Sequence, residues 1–517
     1  MTLKEQAVQA YHRYMRFSFW VVGAIAAFLR LFNLGYPHKF VFDETYYVKD
    51  AWSLSHLGYE GTWQTDANTF FEAGHPNHFS ALGSFIVHPP LGKWLISLGM
   101  LAFGPQNAWS WRIVTALFGI GLVVLMMFTA KRLLGSHSAA TLAGLLLAID
   151  GHAIVLSRVA LLDGILAFFV LLAFYYLLRD REQARLSYTL AMLNQNSGKH
   201  SKVILWNRPW MIAMGAALGL ATSIKWSGAY MALFFVAYVI VSELMLRRRY
   251  GLRDWFLAGA FSQTLANLLL TLPVYLAVYV ANWTGWIVTS GGYDRNSKAT
   301  WWQSLIEYHR EIYGFHLNLH TPHNYQANPL TWLLAIRPTA MFYEGTPEGP
   351  TCPWIYGCSS AVTALGNPFI WWGAFAAIGY LLYHLIRNRS RAPRMEGLIL
   401  LGVAAGYLPW LLYMQRTIFQ FYAIVTLPFQ ILALVYVLRS LWYRRPRQST
   451  IDDLKIMAGV EPNEELPGPP PVTKWRKAIL IYLASCVALS VFFLTIWWGV
   501  NTPYWYWLIH MWLPSWI

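Results

Sequence analysis

Residues 38–54 read HKFVFDETYYVKDAWSL, and two adjacent carboxylates in this stretch, Asp43 and Glu44, decide how the chain is read. They follow the first apolar run, residues 17–34, by about ten residues. If that run crosses a membrane, the dyad emerges at the rim. Ionisable groups there cost free energy unless they face one another or a polar cavity. The reading therefore turns on which side the dyad occupies and what else gathers there.

The chain has 517 residues, 56% of them hydrophobic and only 12% charged. Soluble domains carry roughly 25% charged residues, so the composition excludes a large soluble enzyme and implies a polytopic membrane protein. The formal charge of +15 reads as cytoplasmic loops held by Lys and Arg. Nothing resembles a nucleic-acid module, and no nucleic-acid partner is expected. The 27 tryptophans suit membrane interfaces and sugar-stacking surfaces alike.

Apolar runs of spanning length fall at about 17–34, 110–130, 138–156, 161–178, 210–224, 227–246, 255–281, 367–386, 396–414, 417–438 and 478–500. They predict an all-α protein with about eleven transmembrane helices. Lys225 divides 210–246 into two. The run 91–104 is too short to span and is read as a helix along the interface. Lys4, Arg13 and Arg16 precede the first run without a small-residue cleavage pattern, so it reads as an uncleaved signal anchor.

Orientation follows from the basic clusters. With the N-terminus cytoplasmic, Arg247-Arg248-Arg249, Arg387/Arg389/Arg391/Arg394 and Arg444-Arg445 with Arg447 all fall inside. Two long loops, 35–109 and 282–366, fall outside. The domain reading is a membrane domain over 1–440, a Pro-rich cytoplasmic linker over 441–477, and a last span with an aromatic outer tail over 478–517. Cys352 and Cys358 lie in an outer loop, where a small disulfide and a pair of free thiols are both open.

Under this topology many polar groups reach the dyad's level. They are Arg112, Asp150, His152, Arg158, Asp163, Lys225, Arg337, Gln415, Arg416, Tyr422, and the histidines of YHREIYGFHLNLHTPHNY, His309, His316, His320 and His323. Each has a local explanation: Lys225 snorkels, and Asp43 or Asp163 caps a helix. Their collection on one side points instead to a hydrated site. Adjacent carboxylates diverge by about 100° on a helix, so they cannot act as a facing glycosidase pair. One base with several cations suits glycosyl transfer from a lipid phosphate. The base takes the acceptor proton, and the cations hold the leaving anion.

FDETYY, HPPLGKW, WRIVTALFG, LSRVALLD and SIKWSGAY occur in this order, and in them the chain resembles the protein O-mannosyltransferases, a branch of the C-type glycosyltransferase fold. The resemblance covers most of residues 17–440. It implies a polyprenyl phosphate mannose donor, Ser or Thr acceptors on secreted proteins, and an inverting single displacement. It implies Asp43 as base and Glu44 as its helper in placing the acceptor. Lys225 is implied for the donor phosphate, Arg112 for organising the first outer loop, and Arg158, Asp163, Lys93, His88 and Arg416 as further substrate contacts. No metal or other cofactor is implied, although the histidine-rich loop leaves a metal open. Loop 282–366 is too short for the β-trefoil domain of eukaryotic members, which implies the bacterial branch and a plasma-membrane home among membrane lipids. An enzyme that modifies chains as they emerge would work beside the secretion translocon, although no residue marks such a link. A C-type transferase moving another lipid-linked sugar to lipid or polysaccharide is the alternative, and a transporter a more remote one.

Overall fold

The computed structural model describes residues 3–194, 203–252, 254–387, 395–443 and 474–517, with the side chains of 3–16 left aside. Most of the expected Pro-rich linker, and the basic residues Arg389, Arg391, Arg394, Arg444, Arg445 and Arg447, lie outside the described residues.

The described residues form a helical bundle with two small sheets. Helix α1 (Leu3–Leu31) leads to α2 (Glu44–Leu57), α3 (Ala67–Glu72) and α4 (Leu91–Phe103). Then follow α5 (Ala108–Leu134), α6 (His137–Ile149), α7 (Gly151–Arg158), α8 (Leu162–Asn194), α9 (Pro209–Ile224) and α10 (Ser227–Arg249). Trp255–Leu257 (α11) passes through a π-turn at Ala258–Gln263 into α12 (Thr264–Ala281), followed by α13 (Thr284–Val288) and α14 (Trp301–Asn318). The series closes with α15 (Pro368–Arg387), α16 (Met395–Tyr407), α17 (Leu427–Trp442), α18 (Lys474–Trp498) and α19 (Tyr504–Leu508).

Seven of these helical stretches are long and apolar enough to cross a membrane, and the bent pair α6–α7 makes eight. Three more of the expected runs form shorter apolar helices, Phe17–Leu31, Pro209–Ile224 and Leu427–Trp442. The run 138–156, expected as one helix, is broken by 60° at Asp150. There Asp150 caps α7 by accepting from Ala153 N at 3.2 Å. It also accepts from Asn367 N and Trp371 Nε1, each at 3.0 Å, which ties the break to the start of α15. The run 417–438 becomes α-helical only at Leu427; Arg416 lies in the turn before it, and Tyr422 in a 3₁₀ segment, Gln420–Val425. As the sequence indicates, Lys225 separates α9 from α10, with an extended backbone at φ −156° and ψ 139°.

Small residues set the helix spacing. A Cβ added at Gly215 or Gly219 on α9 would lie 2.7 or 2.8 Å from the Thr271 or Tyr275 carbonyl on α12. Without a hydrophobic drive between helices in lipid, such backbone contact is what gives packing energy. Away from the dyad, Asp180 and Glu243 both pair with the buried Arg208, at 2.5 and 3.3 Å, pinning α8 and α10 to the start of α9.

In loop 35–109, strands β1 (Gly61–Trp63) and β2 (Phe79–Gly83) pair antiparallel, with Trp63 opposite Phe79. In loop 282–366, β3 (Ala340–Thr346) pairs with β4 (Cys358–Thr363), and β5 (Thr502–Pro503) from the tail adds to β4. The aromatic tail is therefore built into the loop. Arg337 donates to Ser515 O and Ile517 O at 2.6 Å, and Trp516 donates to Ala335 O. Cys352 and Cys358 form a disulfide, and Cys486 is free and buried.

Candidate active site

The dyad is split by the way α2 begins. Glu44 is fully buried. Its carboxylate accepts from Val41 N at 3.0 Å, Ala160 N at 2.8 Å, and Arg112 Nε and Nη2 at 2.8 Å each. This fixes the helix phase, and the residue before it then points elsewhere. Asp43 stands at the N-cap position without making a side-chain cap. Its carboxylate lines a cavity of about 480 Å³ together with Tyr46, Tyr47 and Asp50. These residues stand at i, i+3, i+4 and i+7, one face of a helix.

Across this cavity stand His88, His316, Arg416 and Tyr422. The same four line a second cavity of about 380 Å³, whose other walls include Lys225, Trp226, Tyr230, Tyr279 and Trp410. The two chambers thus share one polar wall, with a carboxylate on one side and a cation on the other. Lys225 Nζ donates to both Asp163 oxygens, at 3.0 and 3.2 Å, and lies 4.0 Å from the Tyr422 ring centre.

The wall is held by hydrogen bonds that fix the tautomer of His316. His316 Nε2 donates to Val87 O at 2.9 Å, so its Nδ1 accepts from Arg416 Nη2 at 2.8 Å. Arg416 Nε and His88 Nδ1 are buried and have no hydrogen-bond partner among the described residues. Burial pushes the Asp43 carboxyl up to about 6, against the pull of Lys225 and with a push from Asp163. Burial also lowers His316 to about 4, helped by Arg416, and holds His88 well below its usual range. Both imidazoles are neutral at pH 7. A carboxylate whose value sits just below neutrality is matched to taking a proton, and the unpartnered Arg416 Nε–H, near Lys225, is matched to an anion.

A model of the family described as dolichyl-phosphate-mannose-protein mannosyltransferase matches residues 20–288, and one described as the C-terminal four TMM region of protein-O-mannosyltransferase matches residues 301–516. The chain belongs to the protein O-mannosyltransferase family. A polyprenol-phosphate-mannose–protein mannosyltransferase of Corynebacterium glutamicum is 30% identical over 501 residues, covering 92% of this chain and 88% of that protein. Its counterpart in Mycolicibacterium smegmatis is 29% identical over 518 residues, covering 96% and 92%. The S. cerevisiae protein O-mannosyltransferase Pmt1-Pmt2 complex bound to the sugar donor superposes with a TM-score of 0.68 at 15% identity, over 98% of this chain and 93% of that one. The chain therefore has the C-type glycosyltransferase fold, and the family match runs past residue 440 into the tail.

Within this family member, the residues singled out from sequence divide in two. Asp43, Lys93, His88, Arg416 and Lys225 line the chambers. Glu44, Arg112, Arg158 and Asp163 line neither. Glu44 does not reach an acceptor as expected, because Arg112 and two backbone amides fill its lone pairs. Arg112 also donates to the Leu34, Pro37 and Lys39 carbonyls, which does organise the first loop but leaves nothing for a phosphate. Arg158 donates to the Arg30, Phe32 and Asn33 carbonyls, capping the end of α1. Asp163 acts on Lys225. Lys93 is paired with Glu60 at 2.5 Å. His152 is likewise spent on backbone, at Ala364 O and Phe421 O.

The histidines of loop 309–323 disperse. His309 stacks on Trp226 and bonds the Tyr279 hydroxyl at 2.7 Å, while His323 packs against Phe42 and Phe419. Among the described residues no group of three His, Cys, Asp or Glu is placed to hold a metal ion. Sequence reasoning missed Asp50 and gave His316 no role of its own. Asp50 was signalled by its spacing of seven from Asp43.

Proposed function

We propose that the chain transfers mannose from a polyprenyl phosphate mannose to Ser or Thr hydroxyls of secreted proteins. The single observation that carries this is the pair of chambers, with Asp43 in one, Lys225 in the other and Arg416 between them. In the step, the acceptor oxygen attacks the anomeric carbon from the Asp43 side and its proton passes to the Asp43 carboxylate. The bond from that carbon to the phosphate oxygen breaks, and the electron pair leaves with the phosphate. Lys225 and Arg416 hold the charge that develops there. Attack and departure on opposite faces invert the anomeric configuration. The products are a mannosyl protein and a polyprenyl phosphate. The names of the bacterial relatives support both donor and acceptor.

The same reading puts the site on the extracytoplasmic face of a bacterial plasma membrane. The disulfide in loop 282–366 supports this, since such bonds persist in oxidising compartments. So does Arg247-Arg248-Arg249 at the far end of α10 from Lys225. Acceptors arriving there unfolded would come from the secretion translocon.

The test is transfer of labelled mannose from polyprenyl phosphate mannose by the full chain in nanodiscs, offered a Thr peptide and bilayer lipid together. Mannosyl peptide of inverted configuration is expected. Mannosyl lipid with no mannosyl peptide would overturn the reading.

A further inference from the structure

Asp50 stands in the acceptor chamber with no cation paired to it directly, although Lys93 and Lys49 are near enough to act on it. Its carboxylate makes no hydrogen bond or ion pair with another described residue, yet the residue lines the cavity with Asp43. Lys93, the cation in the same wall, is held by Glu60 at 2.5 Å and donates to His88 O at 3.4 Å. Lys49, next in sequence, reaches away to the Trp63 ring at 5.8 Å. Burial pushes the Asp50 carboxyl up to about 7, against the pull of Lys93 and Lys49 and with a push from Glu60. A part-buried carboxylate of this kind is stabilised by whatever brings it a positive charge. His88 Nδ1, buried and unpartnered in the same chamber, marks a second polar group left for an incoming molecule.

The spacing says where that charge would be. Seven residues of α-helix advance about 10 Å and return to nearly the same face. An extended peptide advances about 3.3 Å per residue. With the acceptor hydroxyl at Asp43, a side chain about three residues along the peptide lies opposite Asp50. Tyr46 and Tyr47 line the chamber between them.

We propose that Asp50 selects acceptor chains carrying a Lys or Arg about three residues from the modified Ser or Thr. This rests on the mannosyltransferase reading for the position of the hydroxyl.

The test uses the full chain in nanodiscs, polyprenyl phosphate mannose, and Thr peptides bearing one Lys, Gln or Glu at each position from one to six on either side. The readout is the Lys-to-Gln ratio of kcat/KM within each enzyme, so that changes in absolute rate cancel. The wild type should favour Lys by about tenfold at a spacing near three and disfavour Glu. Asp50→Asn should bring the ratio close to one, and Asp50→Lys should favour Glu. Equal ratios in wild type and Asp50→Asn, or a Lys preference indifferent to position, would overturn the proposal. Binding of the same peptides with Ala replacing Thr is measured alongside. Loss of all transfer would then count against the mannosyltransferase reading, while the Lys-to-Gln binding ratio still decides the role of Asp50.

Discussion

Arg112 grips Glu44 at two points, Nε on Oε1 and Nη2 on Oε2, each at 2.8 Å, with both side chains buried. Glu44 also receives the amides of Val41 and Ala160. One carboxylate thus joins the start of α2, the start of α5 and the turn before α8. Its work is to aim its neighbour: Asp43 faces the chamber because Glu44 faces the bundle.

The clamp predicts a paired loss. Arg112→Ala leaves a carboxylate buried without its cation, a defect of about 3–5 kcal/mol. Thermal unfolding in detergent should shift down, and transferase activity should fall with it. Adding Glu44→Gln removes the stranded charge, so the double variant should unfold at a higher temperature than Arg112→Ala alone. A double variant as unstable as the sum of its singles would show that the two residues are not coupled.

Asp43 predicts the opposite relation between stability and activity. Its carboxyl stands near 6, against about 3.9 in an unfolded chain. The folded state therefore favours the protonated acid, and Asp43 subtracts stability as pH rises above the unfolded value. Catalysis needs the carboxylate, so kcat/KM should rise with pH through about 6 and be lost below it. Asp43→Asn should cost about 10²–10⁴ in rate while leaving thermal stability unchanged or raised. Lys225 pulls the Asp43 value down, so Lys225→Gln should move the residual activity's acid limb to higher pH. A limb that stays put would place the titration on another group.

The two carboxylates show how far the sequence could be read. The apolar runs, the division at Lys225 and the gathering of polar groups around the dyad follow from composition and spacing, because the bilayer demands continuous apolar helices. The different fates of Asp43 and Glu44 do not, since the phase of α2 is set by Arg112 and the Ala160 amide, 68 and 116 residues away. Arg158 and Asp150 carry the same lesson. A charge at a helix end near a membrane marks a polar need, and that need is as often a neighbouring helix's carbonyls or amides as a substrate. Asp50 was visible as the seventh residue after Asp43, but its spacing gains meaning only once the phase is known. The histidines of 309–323 left a metal open because four lie close in sequence. Two stand on α14 and two lie beyond its end, and each turns to a different partner.

His316 gives the last prediction. It carries no charge at neutral pH, and it bridges Val87 O and Arg416 Nη2 with one nitrogen each. Arg416 faces both chambers and keeps a buried Nε–H without a partner. His316 therefore sets where the guanidinium points, and it does so only while neutral. His316→Phe keeps a ring beside His88, which lies 5.4 Å away, but removes both hydrogen bonds. It should raise the KM for polyprenyl phosphate mannose and lower kcat by about tenfold each, as expected when a donor to the leaving anion is misplaced. His316→Gln, which keeps an acceptor and a donor on one planar group, should recover much of the loss. In an Arg416→Ala background, His316→Phe should cost nothing further, because the residue it aims is gone. An undiminished effect there would mean that His316 meets the substrate itself.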